Sequence, residues 1–360
     1  MASHAEFGEA TPASEVAKVF EDQIRGKTIL ITGVSPRGIG AATTVAFASQ
    51  SPELLIIASR TKSKVDEVVD PIRAEYPGIR VEFVALDLGS QKSIRAAAAE
   101  VAKLTDRLDI LVNNAGIVVT TRQATPEGIE QQFGTNHIGP FLFTNLLLPL
   151  LRNAAKTNPP GATRVVSLSS AGHRLSPIRF SDYNFEKEEV PPEEDHFKPL
   201  PGAFANTTPD GYNGIVAYAH SKTANILFTL YLQKYLPKSG IAAYVIHPGT
   251  IETDLSRNQD DELTAQFYKV AKFWKTADQG ASTTLVAAVD PALNGVPRLP
   301  RPASLLICAD TVFVHSDIKG LYLSDCQIAE PFPHASDPTA ADRLWKLSEE
   351  LVGEDFDLEA

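Results

Sequence analysis

Short apolar runs alternate along the chain with longer stretches of helical character. The run at residues 27–33 (KTILITG) is rich in β-branched side chains and ends in glycine, which is typical of a buried strand. The same alternation continues to about residue 246. The pattern predicts strands at residues 27–33, 54–58, 81–86, 110–112, 164–168 and 242–246. It predicts helices at residues 38–49, 62–76, 91–104, 126–151 and 218–235.

These predicted elements favour one fold class. Strands that are apolar throughout, without polar alternation, indicate a sheet that is covered on both faces. Strands that alternate with helices indicate that the strands run parallel. The sequence therefore predicts an α/β fold with a doubly wound parallel sheet of the Rossmann type, built as a single domain.

Two proline-rich stretches, residues 171–217 and 290–303, interrupt the alternation. Strands and helices of the same sheet are predicted on both sides of them, so they are insertions and not inter-domain linkers. The first stretch contains the acidic segment 186–195, which we expect to be a solvated loop. It also contains several aromatic residues. The predicted organisation has three parts: a polar lead-in at 1–26 with a helix near 14–24, a single domain at 27–353, and an acidic tail at 354–360. Within the domain, residues 171–217 are expected to be an insertion over the substrate pocket. Residues 254–353 are expected to be a substrate-side and C-terminal extension.

Composition narrows the function classes. The 360 residues are 43% hydrophobic, and 33 Lys and Arg stand against 44 Asp and Glu, which gives a formal net charge of −11. This balance argues against a nucleic-acid or anionic-membrane surface, because both need concentrated positive charge. The two cysteines, Cys308 and Cys326, form no disulfide framework, and no stretch is apolar enough to span a bilayer. With no secretory signal visible, we expect a cytoplasmic protein, and the histidine and cysteine spacings predict no metal site.

A glycine-rich turn follows the first predicted strand. Gly33, Gly38 and Gly40 lie where that strand leads into a helix. Glycines at this place allow a tight turn and let a pyrophosphate approach the backbone N–H groups at the positive end of the helix. An ordinary strand-to-helix turn is the alternative. The phosphate-binding loop of NTPases is excluded, because Ile39 and Gly40 stand where that motif needs Lys and Ser or Thr.

The end of the second predicted strand indicates which cofactor is bound. A dehydrogenase that uses NAD would place Asp or Glu there to bind the ribose hydroxyl. This chain has Ser59 and Arg60, and Arg37 lies inside the glycine turn. Guanidinium groups suit a 2′-phosphate, so the sequence favours NADP(H), with solvated surface arginines as the alternative.

A candidate catalytic group surrounds one tyrosine. Tyr218 and Lys222 are four residues apart on a predicted helix and therefore share a face. The ammonium group is expected to lower the tyrosine pKa, so that Tyr218 exchanges a proton with a carbonyl or alcohol oxygen near neutral pH. Ser170 ends a buried strand and is expected to bond the same oxygen, and Asn136 to hold a relay water. Taken alone, the Tyr–Lys pair is also compatible with a solvated helix face.

At this point the chain resembles the short-chain dehydrogenase/reductase family. The matching stretches occur in the family's order and are Thr32 to Gly40, Asp87-Leu88, Asn113 to Gly116, Asn136, Ser169-Ser170, Tyr218 to Lys222 and Pro248 to Thr253. The segments 275–281 (KTADQGA), 320–326 (GLYLSDC) and 343–353 (RLWKLSEELVG) are similar to the retinol dehydrogenase and WW-domain oxidoreductase branch. The family normally has three residues between the first two glycines of the turn, whereas this chain has four.

The resemblance implies a role for each matched residue. Tyr218 would be the proton donor or acceptor, Lys222 would bind the nicotinamide ribose, Ser170 would polarise the substrate oxygen and Asn136 would anchor the relay. Asp87 would meet the adenine end, Asn114 to Gly116 the adenosine ribose, and Ile251 and Thr253 the carboxamide. The predicted NADP(H)-binding residues are Gly33, Ser35, Arg37, Gly38, Ile39, Gly40, Ser59, Arg60, Asp87, Leu88, Asn114, Ala115, Gly116, Tyr218, Lys222, Pro248, Gly249, Ile251 and Thr253.

The predicted activity is hydride transfer between nicotinamide C4 and a carbonyl or alcohol carbon. Two alternatives stay open: an NADP-binding regulatory or scaffold protein without turnover, and an epimerase or dehydratase of the same superfamily. The 171–217 insertion is rich in aromatic residues. The chain must leave the sheet after Ser170 and return at Tyr218, so we expect the insertion to form a wall or lid of the pocket. The aromatic residues favour a bulky, apolar small-molecule substrate. We also expect that the chain can form a homo-dimer. Many relatives in the retinol dehydrogenase branch carry a membrane anchor, which this sequence does not display.

Overall fold

The computed structural model describes residues 2–187, 189–253, 261–271, 273–294 and 321–359. Its main feature is an eight-stranded sheet with the order β3-β2-β1-β4-β5-β6-β9-β10. The strands are β1 (Thr28–Thr32), β2 (Leu54–Ser59), β3 (Arg80–Ala85), β4 (Ile110–Asn113), β5 (Thr163–Leu168), β6 (Ile241–His247), β9 (Tyr322–Ser324) and β10 (Gln327–Ile328). The short strands β7 (Thr250–Ile251) and β8 (Trp274–Lys275) form a separate parallel pair.

The sheet is parallel from β3 to β9, and β10 alone runs antiparallel to its neighbour β9. All six predicted strands are present, and the predicted parallel α/β fold is confirmed. The strand order reverses between β1 and β4, from which the chain continues to opposite edges of the sheet. In open α/β sheets, ligands bind outside the carboxyl ends of the strands at such a reversal.

Helices cover both faces of the sheet. The helices of at least ten residues are α3 (Ile39–Ala48), α4 (Lys62–Glu75), α5 (Gln91–Leu104), α7 (Gly139–Ala155), α8 (Gly214–Tyr235), α9 (Asp261–Val270), α10 (Ala277–Val289) and α11 (Pro338–Val352). One face packs against α5, α7, α8 and α11, and the other packs against α3, α4 and α10. Alternate residues of each strand enter the two cores, as Leu30 and Ile31 of β1 do, which explains why the strands are apolar throughout.

The helix predicted at 126–151 begins later than expected. Residues 124–130 form a turn that is closed by a bridge between Ala124 and Glu130. The Glu130 carboxylate then accepts hydrogen bonds from the backbone N–H groups of Gln132 and Phe133. This cap starts α6 (Gln131–Phe133), which continues through a π-helical segment, Gly134–Ile138, into α7.

The N-terminal segment is more deeply packed than its polar composition indicates. It forms α1 (Ala13–Val19) and α2 (Glu21–Ile24), with a bend at Phe20 in place of one predicted helix. Except for the exposed Val19, the apolar side chains of these two helices are buried and belong to the core on the face of the sheet that α3 and α10 cover.

The described residues of the insertion fold as a series of loops and 3₁₀ turns up to residue 213, and its last four residues are the start of α8. Phe185, Phe204 and Tyr212 are buried, whereas Phe197 is exposed. The acidic segment is not fully solvated as predicted, because Glu194 is buried: its carboxylate accepts the Ser181 N–H at 2.7 Å and pairs with Arg343 at 3.2 Å.

Part of the sequence-based prediction falls outside the described residues. This applies to Cys308 and to most of the second proline-rich excursion, residues 295–303. Within the described ranges, none of the helices combines the length and the apolar character that crossing a bilayer requires.

Candidate active site

A cleft of about 680 Å³ lies at the carboxyl edge of the sheet, across the reversal between β1 and β4. Sixteen of the predicted site residues line it: Gly33, Ser35, Gly38, Ile39, Gly40, Ser59, Arg60, Asp87, Leu88, Asn114, Ala115, Gly116, Tyr218, Lys222, Pro248 and Thr253. Five predicted residues do not line it: Arg37, Asn136, Ser170, Gly249 and Ile251. The lining also includes Thr61, Lys64 and Ser169, which the sequence analysis did not assign to the site. None of the described residues of the 171–217 insertion lines the cleft.

The glycine turn needs residues without a side chain. Gly33 has a φ of +73°, and a Cβ there would lie 2.6 Å from the Cα of Ala115. A Cβ on Gly40 would lie 2.6 Å from Nδ2 of Asn114. That amide donates to the carbonyl oxygens of Thr32 and Gly33 at 2.7 and 2.9 Å, which fixes the turn to the end of β4. The first turn of α3 consequently opens on the cleft with bare backbone, an arrangement that suits a phosphate group.

The longer turn accommodates its extra residue beside the cleft. The N–H of Gly38 donates to the carbonyl oxygen of Ser35 at 2.9 Å, which closes the turn over Pro36 and Arg37. Ser35 faces the cleft, while Arg37 is outside its lining. Of the two arginines that the sequence singled out, Arg60 is in the lining of the cleft and Arg37 is not.

The end of β2 carries positive charge towards the cleft. Ser59 is buried, and its hydroxyl accepts the Val34 N–H at 2.8 Å, so this side chain holds the glycine turn. Arg60 follows it, and Lys64 of α4 lines the same region. Among the described residues that line the cleft, Asp87, which follows β3, is the one that carries a carboxylate. This carboxylate accepts a hydrogen bond from the Gly89 N–H at 2.9 Å. This side of the cleft suits an anionic group.

Asn136 lies in the π-helical segment and supports the cleft wall from behind. Its Oδ1 accepts the Ile117 N–H at 2.8 Å, and its Nδ2 donates to the Ile117 carbonyl oxygen at 3.0 Å. The same Nδ2 donates to the Ser221 hydroxyl at 3.0 Å. Asn136 thus joins the loop after β4 to the helix that carries Tyr218. π-Helical segments of this kind occur frequently at functional sites.

Tyr218 and Ser170 meet at the end of β5. Their hydroxyl groups are hydrogen-bonded, and the Ser170 hydroxyl also accepts the Gly172 N–H at 3.0 Å. Tyr218 opens onto the cleft. Burial raises the pKa of Tyr218 to about 12, and the hydrogen bond with Ser170 opposes this increase. The phenol is therefore protonated at neutral pH.

Lys222 reaches the cleft one helical turn after Tyr218. Its Nζ donates to the Leu168 carbonyl oxygen at 3.0 Å and lies 5.6 Å from the centre of the Tyr218 ring. A Cβ on Gly116 would lie 3.2 Å from this Nζ and 3.5 Å from Oδ1 of Asn136, so the glycine leaves room for both side chains. Burial lowers the pKa of Lys222 to about 8.

The predicted decrease in the Tyr218 pKa is wrong for this structure. The Lys222 ammonium group is directed to the Leu168 carbonyl oxygen and does not bond the phenol. Burial is then the largest influence on the pKa of Tyr218, and it acts in the opposite direction because it disfavours the phenolate.

The segment after β6 contributes two residues to the cleft, Pro248 and Thr253. Between them, Gly249 and Ile251 are directed away from the cleft lining. A Cβ on Gly249 would collide with the stem of Lys275, and the Ile251 side chain packs against the Cα of Gly280. The side chain of Ile251 is therefore taken up by packing at α10, and a contact of this residue with a carboxamide stays a prediction.

Known proteins are similar to this chain over most of its length. A family model described as short chain dehydrogenase matches residues 27–187. Retinol dehydrogenase 14 from Homo sapiens is 32% identical over 346 residues, which cover 92% of this chain and 87% of that protein. Oxidoreductase fscI from Fusarium equiseti is 37% identical over 245 residues, 68% of this chain and 94% of that protein. A crystal structure of a short chain dehydrogenase from Burkholderia cenocepacia in complex with NADP has a TM-score of 0.53 at 25% identity and covers 76% of this chain and 94% of that one.

Proposed function

Because the chain belongs to the short-chain dehydrogenase family, in its retinol dehydrogenase-like branch, we propose that it is an NADP(H)-dependent oxidoreductase with Tyr218 as its general acid and base. The observation that carries this proposal is the composition of one cleft. A half-buried tyrosine, hydrogen-bonded with Ser170 and followed by Lys222, opens on the same space as Arg60 and Lys64. The strand order puts the first group beside β5 and the second beside β2, on opposite sides of the reversal.

The residues present fit a dinucleotide. The turn at Gly33 and Gly40 leaves the N-terminus of α3 bare, as a pyrophosphate needs. Arg60 and Lys64 would bind the 2′-phosphate, and Asp87 would lie near the adenine. This combination of a cationic β2 end without an acidic residue supports NADP(H) over NAD(H).

When bound, NADPH supplies the hydride from its nicotinamide C4, and the protein supplies orientation and the proton. In reduction, the Tyr218 hydroxyl donates its proton to the substrate carbonyl oxygen as that oxygen gains charge. The sequence assigns a hydrogen bond with the same oxygen to Ser170, but in this structure Ser170 does not line the cleft and lies beside the Tyr218 phenol. In alcohol oxidation, the Tyr218 phenolate takes the proton back. Because burial raises the pKa of Tyr218, the phenol carries the proton that reduction requires at neutral pH.

We propose a bulky, apolar carbonyl compound or alcohol as substrate. Ile117, Val118 and Val119 line the cleft after β4 and provide an apolar wall. Retinol dehydrogenase 14, which is similar over 92% of this chain, carries the name of a bulky apolar alcohol. The cytoplasmic location and the homo-dimer expected from the sequence stay predictions.

The proposal is tested by NADPH consumption with a panel of apolar aldehydes and ketones. Wild-type protein is expected to turn over at least one of them, and Tyr218→Phe is expected to lose about 10²-fold or more in kcat while still binding NADPH, because general acid catalysis contributes about that much. Tyr235→Phe, at the far end of α8, serves as the matched control and is expected to retain activity. A wild-type protein that binds NADPH but reduces no carbonyl would instead support the regulatory or scaffold alternative.

A further inference from the structure

The two C-terminal segments 275–281 and 320–326 have sequences typical of the retinol dehydrogenase branch, and the mechanism above uses neither. Their described residues meet behind the segment 248–251 that follows β6. Strand β7 of that segment pairs with β8, so that Ile251 is the register partner of Lys275. The turn between β9 and β10 reaches the same place through Asp325. The segment at the edge of the cleft is therefore supported by both C-terminal segments.

Lys275 fills the space that Gly249 leaves. Gly249 has a φ of +98°, a conformation that favours glycine. A Cβ at this position would lie 2.7 Å from both Cδ and Cε of Lys275. The stem of the lysine therefore lies directly against the backbone of the segment, immediately after the cleft residue Pro248.

The rest of the segment 275–281 fixes α10 against the same backbone. Thr276 and Gln279 form a capping box that starts α10. In the first turns of that helix, a Cβ on Gly280 would lie 2.8 Å from Cγ1 of Ile251, so only a glycine lets Ile251 pack there without a shift. Pro248 and Thr253, which face the cleft, are thus joined by residues whose other side rests on β8 and α10.

An ion pair closes this arrangement. Nζ of Lys275 lies 2.6 Å from Oδ1 of Asp325, and the exposed fractions of the two side chains are 2% and 47%. Removing the partner of a buried charge is costly, so Lys275 depends on Asp325. The aspartate is held in place by its turn: Asp325 and Cys326 both have positive φ values, +51° and +64°, and the Cys326 N–H donates to the Thr283 hydroxyl of α10 at 3.1 Å.

We propose that Lys275 and Asp325 are positioning residues for the nicotinamide half of the cofactor. The inference rests on the proposed function, together with the expectation from the sequence that Ile251 and Thr253 meet the carboxamide of the nicotinamide. Lys275 acts through Gly249, and Asp325 acts through Lys275. The pair holds the backbone of the segment at the depth that the nicotinamide requires, and the adenosine half, bound on the other side of the reversal, does not depend on it.

The test compares two ligands in three variants. NADPH reports on the whole cleft, and adenosine 2′,5′-bisphosphate reports on the adenosine half alone. Lys275→Ala removes the stem and the charge, Lys275→Met keeps most of the stem, and Asp325→Asn leaves the buried ammonium group without its anionic partner. The control is Lys234→Ala, because Lys234 forms an ion pair with Asp342 at 2.8 Å between α8 and α11.

We expect Lys275→Ala and Asp325→Asn to weaken NADPH binding and to lower kcat, each by about tenfold, because a small displacement of a reacting group has effects of this order or larger. Lys275→Met is expected to lose less, and Lys234→Ala to lose nothing. Binding of adenosine 2′,5′-bisphosphate is expected to change less than twofold in all of them. Asp325→Glu keeps the charge and is expected to restore part of the NADPH affinity.

Unchanged NADPH affinity and kcat in Lys275→Ala and Asp325→Asn would overturn the inference. Equal losses for both ligands would also overturn it, because they indicate a general loss of structure. If Lys275→Ala does not fold, Lys275→Met and Asp325→Asn carry the same comparison. A wild-type protein that binds neither ligand would overturn the proposed function and, with it, the premise of this inference, so the two failures are distinguishable.

Discussion

We expect side chains near the end of β2 to determine how the cleft discriminates between nicotinamide cofactors. Arg60 and Lys64 line the cleft near the end of β2. The Ser59 hydroxyl instead accepts a hydrogen bond from the Val34 N–H in the glycine turn. A guanidinium group forms strong, charge-assisted hydrogen bonds with a phosphate and gains little from a neutral hydroxyl. We therefore expect Arg60 to contribute more to a preference for NADPH than Lys64, the second cation of the proposed 2′-phosphate site.

Arg60→Ala is expected to weaken NADPH binding by about 1.5–3 kcal/mol, the usual range for hydrogen bonds to charged groups, and to leave NADH binding nearly unchanged. Titrations with both cofactors measure this difference. Arg25→Ala is the matched control, because Arg25 contacts Glu21 at the surface, at 3.5 Å. Equal use of NADPH and NADH by the wild-type protein would refute the role of Arg60.

At the scale of residues, the sequence predicted which side chains meet more reliably than how they behave. Tyr218 and Ser170 meet because helical spacing and a strand end are local patterns that a sequence displays. The pKa of Tyr218 depends on burial by residues that are distant in the chain, and no local pattern displays that. The hydroxyl of Ser59 is similar, since its bond with Val34 exists only after β1 and β2 have paired.

At the scale of elements, a buried polar cluster ties the insertion to the catalytic helices. The Tyr212 hydroxyl donates to the Glu130 carboxylate at 2.7 Å and accepts from Nε2 of Gln132 at 2.8 Å. The same Nε2 contacts the carbonyl oxygens of Val119 and Gly214, at the cleft wall and at the start of α8. Burial raises the pKa of Glu130 despite these hydrogen bonds. The end of the insertion is thus bonded to the elements that present Asn136 and Tyr218.

Tyr212→Phe is expected to lower the free energy of unfolding by about 1–3 kcal/mol, because it leaves Glu130 and Gln132 with a buried bond unmade. Urea unfolding measures this change. Tyr76→Phe is the control, since its hydroxyl makes the same kind of bond with a carboxylate, that of Glu75 at 2.7 Å, at the surface. If both variants lose the same stability, the buried cluster does not anchor the insertion.

The elements that the sequence predicted correctly are those of the alternating half of the chain. Each depends on local signals: an apolar run, a terminal glycine or a helical period. The short strands after β6 were not predicted, because they have only two or three residues and their pairing is set by tertiary contacts. The helices α9, α10 and α11 were not predicted either, although the capping box at Thr276 and the Asp337 cap of α11 are local signals that the sequence displays. The late start of α6 follows from the Glu130 cap, which the apolar periodicity does not display.

At the scale of the whole molecule, the two edges of the sheet have different tasks. The carboxyl edge holds the cleft, with charged and hydroxyl side chains that face a ligand. The amino edge holds Asp109, which is fully buried where β4 begins and whose carboxylate accepts hydrogen bonds from the Thr28 N–H at 2.9 Å, from Arg107 at 2.6 Å and from Asn158 at 2.7 Å. These bonds join the starts of β1 and β4, at the edge of the sheet opposite the cleft.

Asp109→Asn is therefore expected to affect stability and not catalysis. Burial alone raises the pKa of Asp109, but the hydrogen bonds and the nearby Lys27 outweigh it, and the pKa lies below its usual value. The folded state consequently binds this proton less readily than the unfolded chain, so the carboxylate stabilises the fold above about pH 4 and this contribution is lost as the pH falls through the lowered pKa. We expect the variant to lose about 1–3 kcal/mol near neutral pH, and the difference from wild type to shrink in acid. Urea unfolding of both proteins, near neutral pH and in acid, measures the loss in the free energy of unfolding. We expect kcat and the NADPH affinity of the variant to stay at wild-type values. A variant that kept its stability but lost NADPH affinity would contradict this division between the two edges, because the bonds of Asp109 would then have to act on the cleft through the length of the strands.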